Sequence, residues 1–190
     1  MSHDGARETP QEVAPQLPPS RASRDRAGRG TEGAVYVEFL IAFMPLLVMF
    51  MSLVQLAFVQ IANIVTKHAA VAAARAAVVV LPDDPSYYGG QKVNEAAGAR
   101  LTAIEGAAKA RLMAVSTSPN IKLRFPSSPG GDDSKTSFEN DDLVRVQLEF
   151  DYPCLIPIGS FFVCRSLSLH KTLKAEATLP NQGAGYEYDN

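Results

Sequence analysis

The chain has 190 residues, is 46% hydrophobic and carries a formal net charge of −2. That length suits one compact domain with appendages, and the near-neutral charge gives no support to a nucleic-acid or anionic-surface partner. Two cysteines cannot alone build a structural zinc site, and neither metal nor cofactor is expected.

Residues 1–33 hold Pro10, Pro15, Pro18 and Pro19 with several Ser and Gly and no apolar periodicity, so they read as a disordered leader. Its end, Arg21 to Arg29, carries four arginines against one acid, Asp25. A basic flank before an apolar run belongs on the cytoplasmic side. From Phe39 to Thr66 there are 28 residues without a charge. As a helix this run is about 42 Å long, more than a hydrocarbon core of about 30 Å. It is also too long for a cleaved signal core of roughly 7–15 residues. Pro45 should kink it, which a membrane helix tolerates. Lys67 to Val80 is rich in Ala and continues the helix into water, until Pro82 and Pro85 stop it. Residues 34–81 therefore read as one long helix, membrane-spanning in its first two thirds. Gln55, Gln60 and Asn63 interrupt the apolar run, either to hydrogen-bond between packed helices or to mark the membrane boundary. His68 reads as interfacial.

Residues 82–180 carry the patterns of a small extracytoplasmic domain. Val93, Ala97, Leu101, Ile104, Ala108, Leu112 and Val115 recur at helical spacing and predict a second helix over 91–115. The period then changes to two. Ile121, Leu123 and Phe125 alternate with Lys122 and Arg124. After a polar loop over 126–140, residues 143–152 alternate Val144, Val146, Leu148 and Phe150 with Arg145, Gln147, Glu149 and Asp151. A last strand is predicted over 166–179, with Leu167, Leu169, Leu173, Ala175 and Ala177 on one face. Cys154 and Cys164 lie in the connection between these two strands, a hairpin link that a disulfide can pin if this half is exported. In a reducing compartment the same pair reads as two buried thiols. The tail, 181–190, reads as loose. The fold class is α+β: a long transmembrane helix kinked at Pro45, then a small domain of one helix and an antiparallel sheet.

Other polar groups carry less. Asp132, Asp133, Asp141 and Asp142 read as solvated loop charges rather than a calcium site. The pairs Gly89-Gly90 and Gly130-Gly131 are turns without the Lys-Ser/Thr of a phosphate loop. Ser160 and His170 form no hydrolase elbow, so an enzyme is not expected.

The informative stretch joins leader and helix. A basic leader ends in Gly33, Ala34 follows, Glu38 is the fifth residue after the glycine, and Phe39 comes next. This resembles the processing site of type IV prepilins and pseudopilins. The string GAVYVEFLIAFMPLL is most similar to TadE-like pseudopilins of the tight-adherence (Flp) pilus system, through Gly33-Ala34, Val37-Glu38-Phe39 and Pro45-Leu46-Leu47. The likeness covers about residues 29–80, and the Ala-rich helix end lacks the Glu-Gly of the family pattern.

The resemblance implies a pilin-like fold and a minor pilin or pseudopilin that aids fibre assembly without catalysis. Prepilin peptidase would cut between Gly33 and Ala34, and the Glu38 carboxylate would pair with the freed amine of Ala34 on the same or a neighbouring subunit. Partners would be the membrane, prepilin peptidase, other pilus subunits and the tight-adherence assembly platform of the bacterial inner membrane, and no nucleic acid. The N-terminus would face the cytoplasm. Independently of the family, a carboxylate at the edge of a lipid-buried helix needs compensation, and a helix N-terminus favours an anion. Gly30 is a rival glycine, but it leaves Glu38 at the eighth position. The alternative reading is an uncleaved, single-pass anchor for an extracytoplasmic binding module.

Overall fold

The computed structural model describes residues 21–164 and 170–181. The chain forms two compact units, residues 1–46 and 47–190. A single helix, α1 (Arg21–Val80), contributes to both and contains Pro45.

In the first unit, the expected disordered leader is replaced by helix from Arg21 onward, while residues 1–20 lie outside the described residues. Prolines stop at Pro19, and the Arg and Ala of the following segment favour helix. From Gly33 to Leu46 every residue is exposed. The stretch Gly33–Val80 is 48 residues of helix long and apolar enough to cross a membrane.

In the second unit, the rest of α1 shows a one-sided burial pattern. Gln55, Val59, Ala62, Thr66, Ala69, Ala70, Ala73, Ala74, Ala77 and Val80 are buried. Their spacing of three and four puts them on one face. Small alanines let other elements approach this face closely. The helix ends at Val80, and the N–H of Leu81 still reaches Ala77 O at 2.9 Å. A 3-10 turn follows over Pro85–Tyr88, capped by Asp84, whose side chain accepts from Ser86 N at 2.8 Å.

The second helix, α2, spans Gly98–Leu112, not 91–115. Two backbone conformations shorten it. Asn94 has φ 59° and Gly98 φ 48°, in the left-handed region that a right-handed helix excludes. The segment before Gly98 is instead held by loop 126–140: Ala96 N donates to Thr136 O at 2.7 Å and Phe138 N to Asn94 O at 2.9 Å. That loop also sends Phe138 into the core, edge-on to Phe125 at 5.6 Å. At the other end, Met113 to Val115 form a turn.

Three antiparallel strands make one sheet in the order β1-β2-β3: Ile121–Arg124, Leu143–Pro153 and His170–Pro180. Leu148 faces Leu123 on one side and Ala175 on the other. Val144, Val146, Leu148, Phe150 and Tyr152 are buried along one face of β2, as period-two alternation predicts. This face, the alanine face of α1, and Ile104, Ala108 and Leu112 of α2 belong to one hydrophobic cluster. On β3, Leu173 and Ala175 are buried and Ala177 is half-buried, while Leu167 and Leu169 lie outside the described residues. The β2–β3 connection is more than a hairpin link, because it contains a short helix, α3 (Pro157–Val163). Asn181, expected to open a loose tail, is buried, and its Nδ2 donates to Glu139 O at 3.0 Å. Residues 182–190 lie outside the described residues. Among the described residues the architecture is α+β: a long apolar helix followed by the helix α2, the short α3 and a three-stranded antiparallel sheet.

Candidate functional site

Gly33 and Ala34 lie within α1, and a Cβ built on Gly33 would meet nothing within 4 Å. Glu38 is exposed on the same helix. Phe39 is also exposed and stacks on Phe43, one turn later, at 5.4 Å between ring centroids. These four residues share a helical stretch open on all sides. Chemically it offers an accessible glycine peptide, a carboxylate five residues further on, and an apolar surface that no described residue covers. Glycine in a helix interior costs about 1 kcal/mol relative to alanine, so the turn at Gly33 is a weak point.

Cys154 and Cys164 are paired as a disulfide, with Cα atoms 6.6 Å apart. The loop they close carries α3, which opens with Pro157 in its first turn, a position where the missing N–H costs nothing. This closed loop lies on α1. Gln55 Oε1 accepts from Ile156 N at 3.1 Å, and Gln55 Nε2 approaches Cys164 Sγ at 3.9 Å. Gly159 lets the backbones touch: a Cβ there would be 2.5 Å from Met51 O. Gln55 is therefore a buried link from the helix to the disulfide loop, a role that differs from the helix-to-helix bond or boundary mark expected of it. Gln60 is exposed and Asn63 half-buried.

A search for apolar residues at helical spacing passes over Arg100. It is fully buried, and it donates to the carbonyls of Val80, Asp83 at 2.9 Å and Gln91 at 3.3 Å. Its guanidinium lies 4.5 Å from the Tyr88 ring centroid. A cation on the last carbonyl of α1 also complements the negative end of the helix dipole. Burial, followed by the hydrogen bond to Asp83, raises the Tyr88 hydroxyl above its usual pKa. The residue's helical period could have flagged it: Arg100 lies four before Ile104, on the buried side.

The four loop acids do not converge. Asp133 accepts from Ser127 N at 3.0 Å, Asp142 accepts from Glu139 N and Lys135 Nζ, each at 3.0 Å, and Asp132 lies 3.8 Å from Arg124. Hydrogen bonds hold the Asp133 and Asp142 carboxyls below their usual pKa. Among the described residues no group of three His, Cys, Asp or Glu side chains is placed to hold a metal. His68 lines an open groove of about 640 Å³ with Arg75 of α1 and Arg111 of α2. No acid or nucleophile lines that groove.

No family model, curated protein or solved structure matches the chain.

Proposed function

We propose that this chain is a minor pilin or pseudopilin of a tight-adherence type pilus, anchored by α1 and processed by prepilin peptidase after Gly33. The observation that carries the reading is the helix surface from Gly33 to Leu46, exposed on every side and holding Gly33, Ala34, Glu38 and Phe39 in the prepilin order. A lipid-soluble helix that later packs against sister helices needs such a surface. Glu38 then anchors the first contact, pairing with the new amine of Ala34 in a medium where an unpaired carboxylate is costly. The leader faces the cytoplasm, and the α+β domain lies outside the inner membrane, where the Cys154–Cys164 disulfide can form. The chain acts in assembly with other pilus subunits and the assembly platform, not as an enzyme.

The second reading, an uncleaved anchor for a binding module, draws support from the unbroken course of α1 from Arg21 through Gly33. A peptidase must unwind that turn to cut it. Mapping the mature N-terminus in cells with and without prepilin peptidase separates the two. A start at Ala34 that requires the peptidase supports the pilin reading. A leader retained in both strains leaves the plain anchor. In the pilin case, Glu38→Gln should abolish fibre incorporation without loosening the domain.

A further inference from the structure

We propose that the disulfide-closed loop of residues 154–164 is a second membrane contact, seated in the lipid leaflet nearest the domain, beside α1. The proposal rests on the reading of α1 as a membrane span.

Four large apolar side chains on this loop point to solvent: Leu155 is 65% exposed, Ile158 48%, Phe161 64% and Phe162 65%. Residues 153–164 contain no charged side chain. Apolar patches of this kind are uncommon on water-soluble surfaces and mark a partner or a membrane. The place of the loop on α1 decides between them. It is clasped at Met51 and Gln55, within the charge-free run that ends at Thr66. Around the clasp, α1 itself exposes Met49, Phe50, Leu53 and Phe58. The solvent for α1 at that level is therefore the solvent for the loop.

Depth agrees. About 20 residues of helix span the hydrocarbon core. Counted from Phe39, directly after Glu38, that span ends near Phe58. Gln55 and Met51 then lie about 5–10 Å inside the edge at 1.5 Å per residue, the depth at which interfacial helices sit. Lipid offers no hydrogen bonds, and part of the loop's backbone finds its partners within the protein. Ile156 N–H goes to Gln55, Ser160 N–H to Ile156 O at 2.8 Å, and Cys164 N–H to Ser160 O at 2.8 Å. Phe161 and Phe162 pack edge to face at 5.4 Å, a bulky apolar pair on α3. Gln55 thus becomes a positioning residue: it fixes the loop's depth and satisfies a backbone donor that lipid would leave unpaired.

The chain has no Trp, so a single introduced Trp reports alone. The full chain would be placed in phosphatidylcholine–phosphatidylglycerol vesicles, with plain or brominated acyl chains, as Phe50→Trp, Phe161→Trp or Tyr87→Trp. Tyr87 is 77% exposed beyond the end of α1 and serves as the aqueous control. The expected result is blue-shifted emission and loss of intensity in brominated vesicles for Phe50→Trp and Phe161→Trp, with no loss for Tyr87→Trp. Quenching of Phe50→Trp without quenching of Phe161→Trp overturns the proposal and leaves the anchor intact. Quenching of neither removes the anchor reading and the proposal together. Blue-shifted but unquenched Phe161→Trp emission that reverts on dilution means the patch is covered by a second copy, and also overturns it. Phe162→Trp, equally exposed, is the replacement reporter if Phe161→Trp fails to form the disulfide.

Discussion

Two stretches of one helix show opposite solutions to burying apolar surface. From Gly33 to Leu46, α1 carries large side chains, among them Phe39, Leu40, Ile41, Phe43 and Met44, and none is covered. From Ala69 to Val80 it carries mainly small ones, and Ala69, Ala70, Ala73, Ala74 and Ala77 are fully buried in the domain core. Large residues maximise contact with a fluid solvent such as lipid. Small ones let other elements pack closely, where each extra methylene would clash. Side-chain volume along the helix thus separates the exposed surface, part of a stretch long and apolar enough to cross a membrane, from the surface buried in the domain core.

The sharpest test of the protein-facing stretch is at its end. Arg100→Ala strips the Val80 and Asp83 carbonyls of their donor and leaves a cavity beside Tyr88. It should cost about 3 kcal/mol of domain stability, read by urea unfolding. Arg100→Lys should recover little, because an ammonium cannot fork across several carbonyls. A comparable loss from Leu40→Ala, on the exposed stretch, would break the comparison.

Next in size is the clasp. Removing the disulfide with Cys154→Ser and Cys164→Ser frees a loop of ten-residue separation, and the chain-entropy account puts the loss at about 2–3 kcal/mol. The loss should show as faster amide exchange in α3 and β2, with helicity of the Gly33–Leu46 stretch unchanged. Ala73→Leu follows at about 2 kcal/mol by overpacking, whereas Ala42→Leu, on the exposed stretch, should leave domain unfolding within error. Equal effects of the two alanine substitutions would mean that the exposed stretch has a protein partner within the same chain.

What the sequence alone could reveal divides along similar lines. The charge-free run, the alternation in β2 and the Leu173, Ala175, Ala177 face of β3 are local signals, and each element lies where its period puts it. The start of α2 was not readable, because it depends on two left-handed residues and on a pairing of Glu95 with Ser137, far along the chain. Phe138 sits in a stretch that reads as polar loop, and only the closure of that loop on Phe125 buries it. Arg100 violates the apolar pattern of its own face, and its partners are carbonyls, which carry no sequence signature. Of the candidate site, the order Gly33, Ala34, Glu38, Phe39 is local and was visible, whereas the clasp between Gln55 and Ile156 spans 101 residues and was not.

Acid offers the gentlest way to separate the two stretches. Asp142 is held below its usual pKa first by the Glu139 N–H and then by Lys135, and Glu149 first by its hydrogen bond to Lys174, at 2.6 Å. Both folded values are depressed, so the unfolded chain binds more protons in the acid range and these groups stabilise the fold above it. That contribution is fully present above the unfolded carboxylate range, near about 4, and is lost as pH falls through the folded values. The exposed helix has no titrating group from Phe39 to Thr66. Lowering pH from neutrality should therefore reduce the domain's unfolding midpoint in urea, while co-sedimentation with vesicles stays constant. Asp142→Asn should flatten part of the acid slope. A domain midpoint independent of pH would show that these ion pairs hold no more in the folded chain than in the unfolded one. Loss of vesicle binding in parallel with unfolding would mean that the domain, and not the charge-free helix, carries the affinity for lipid.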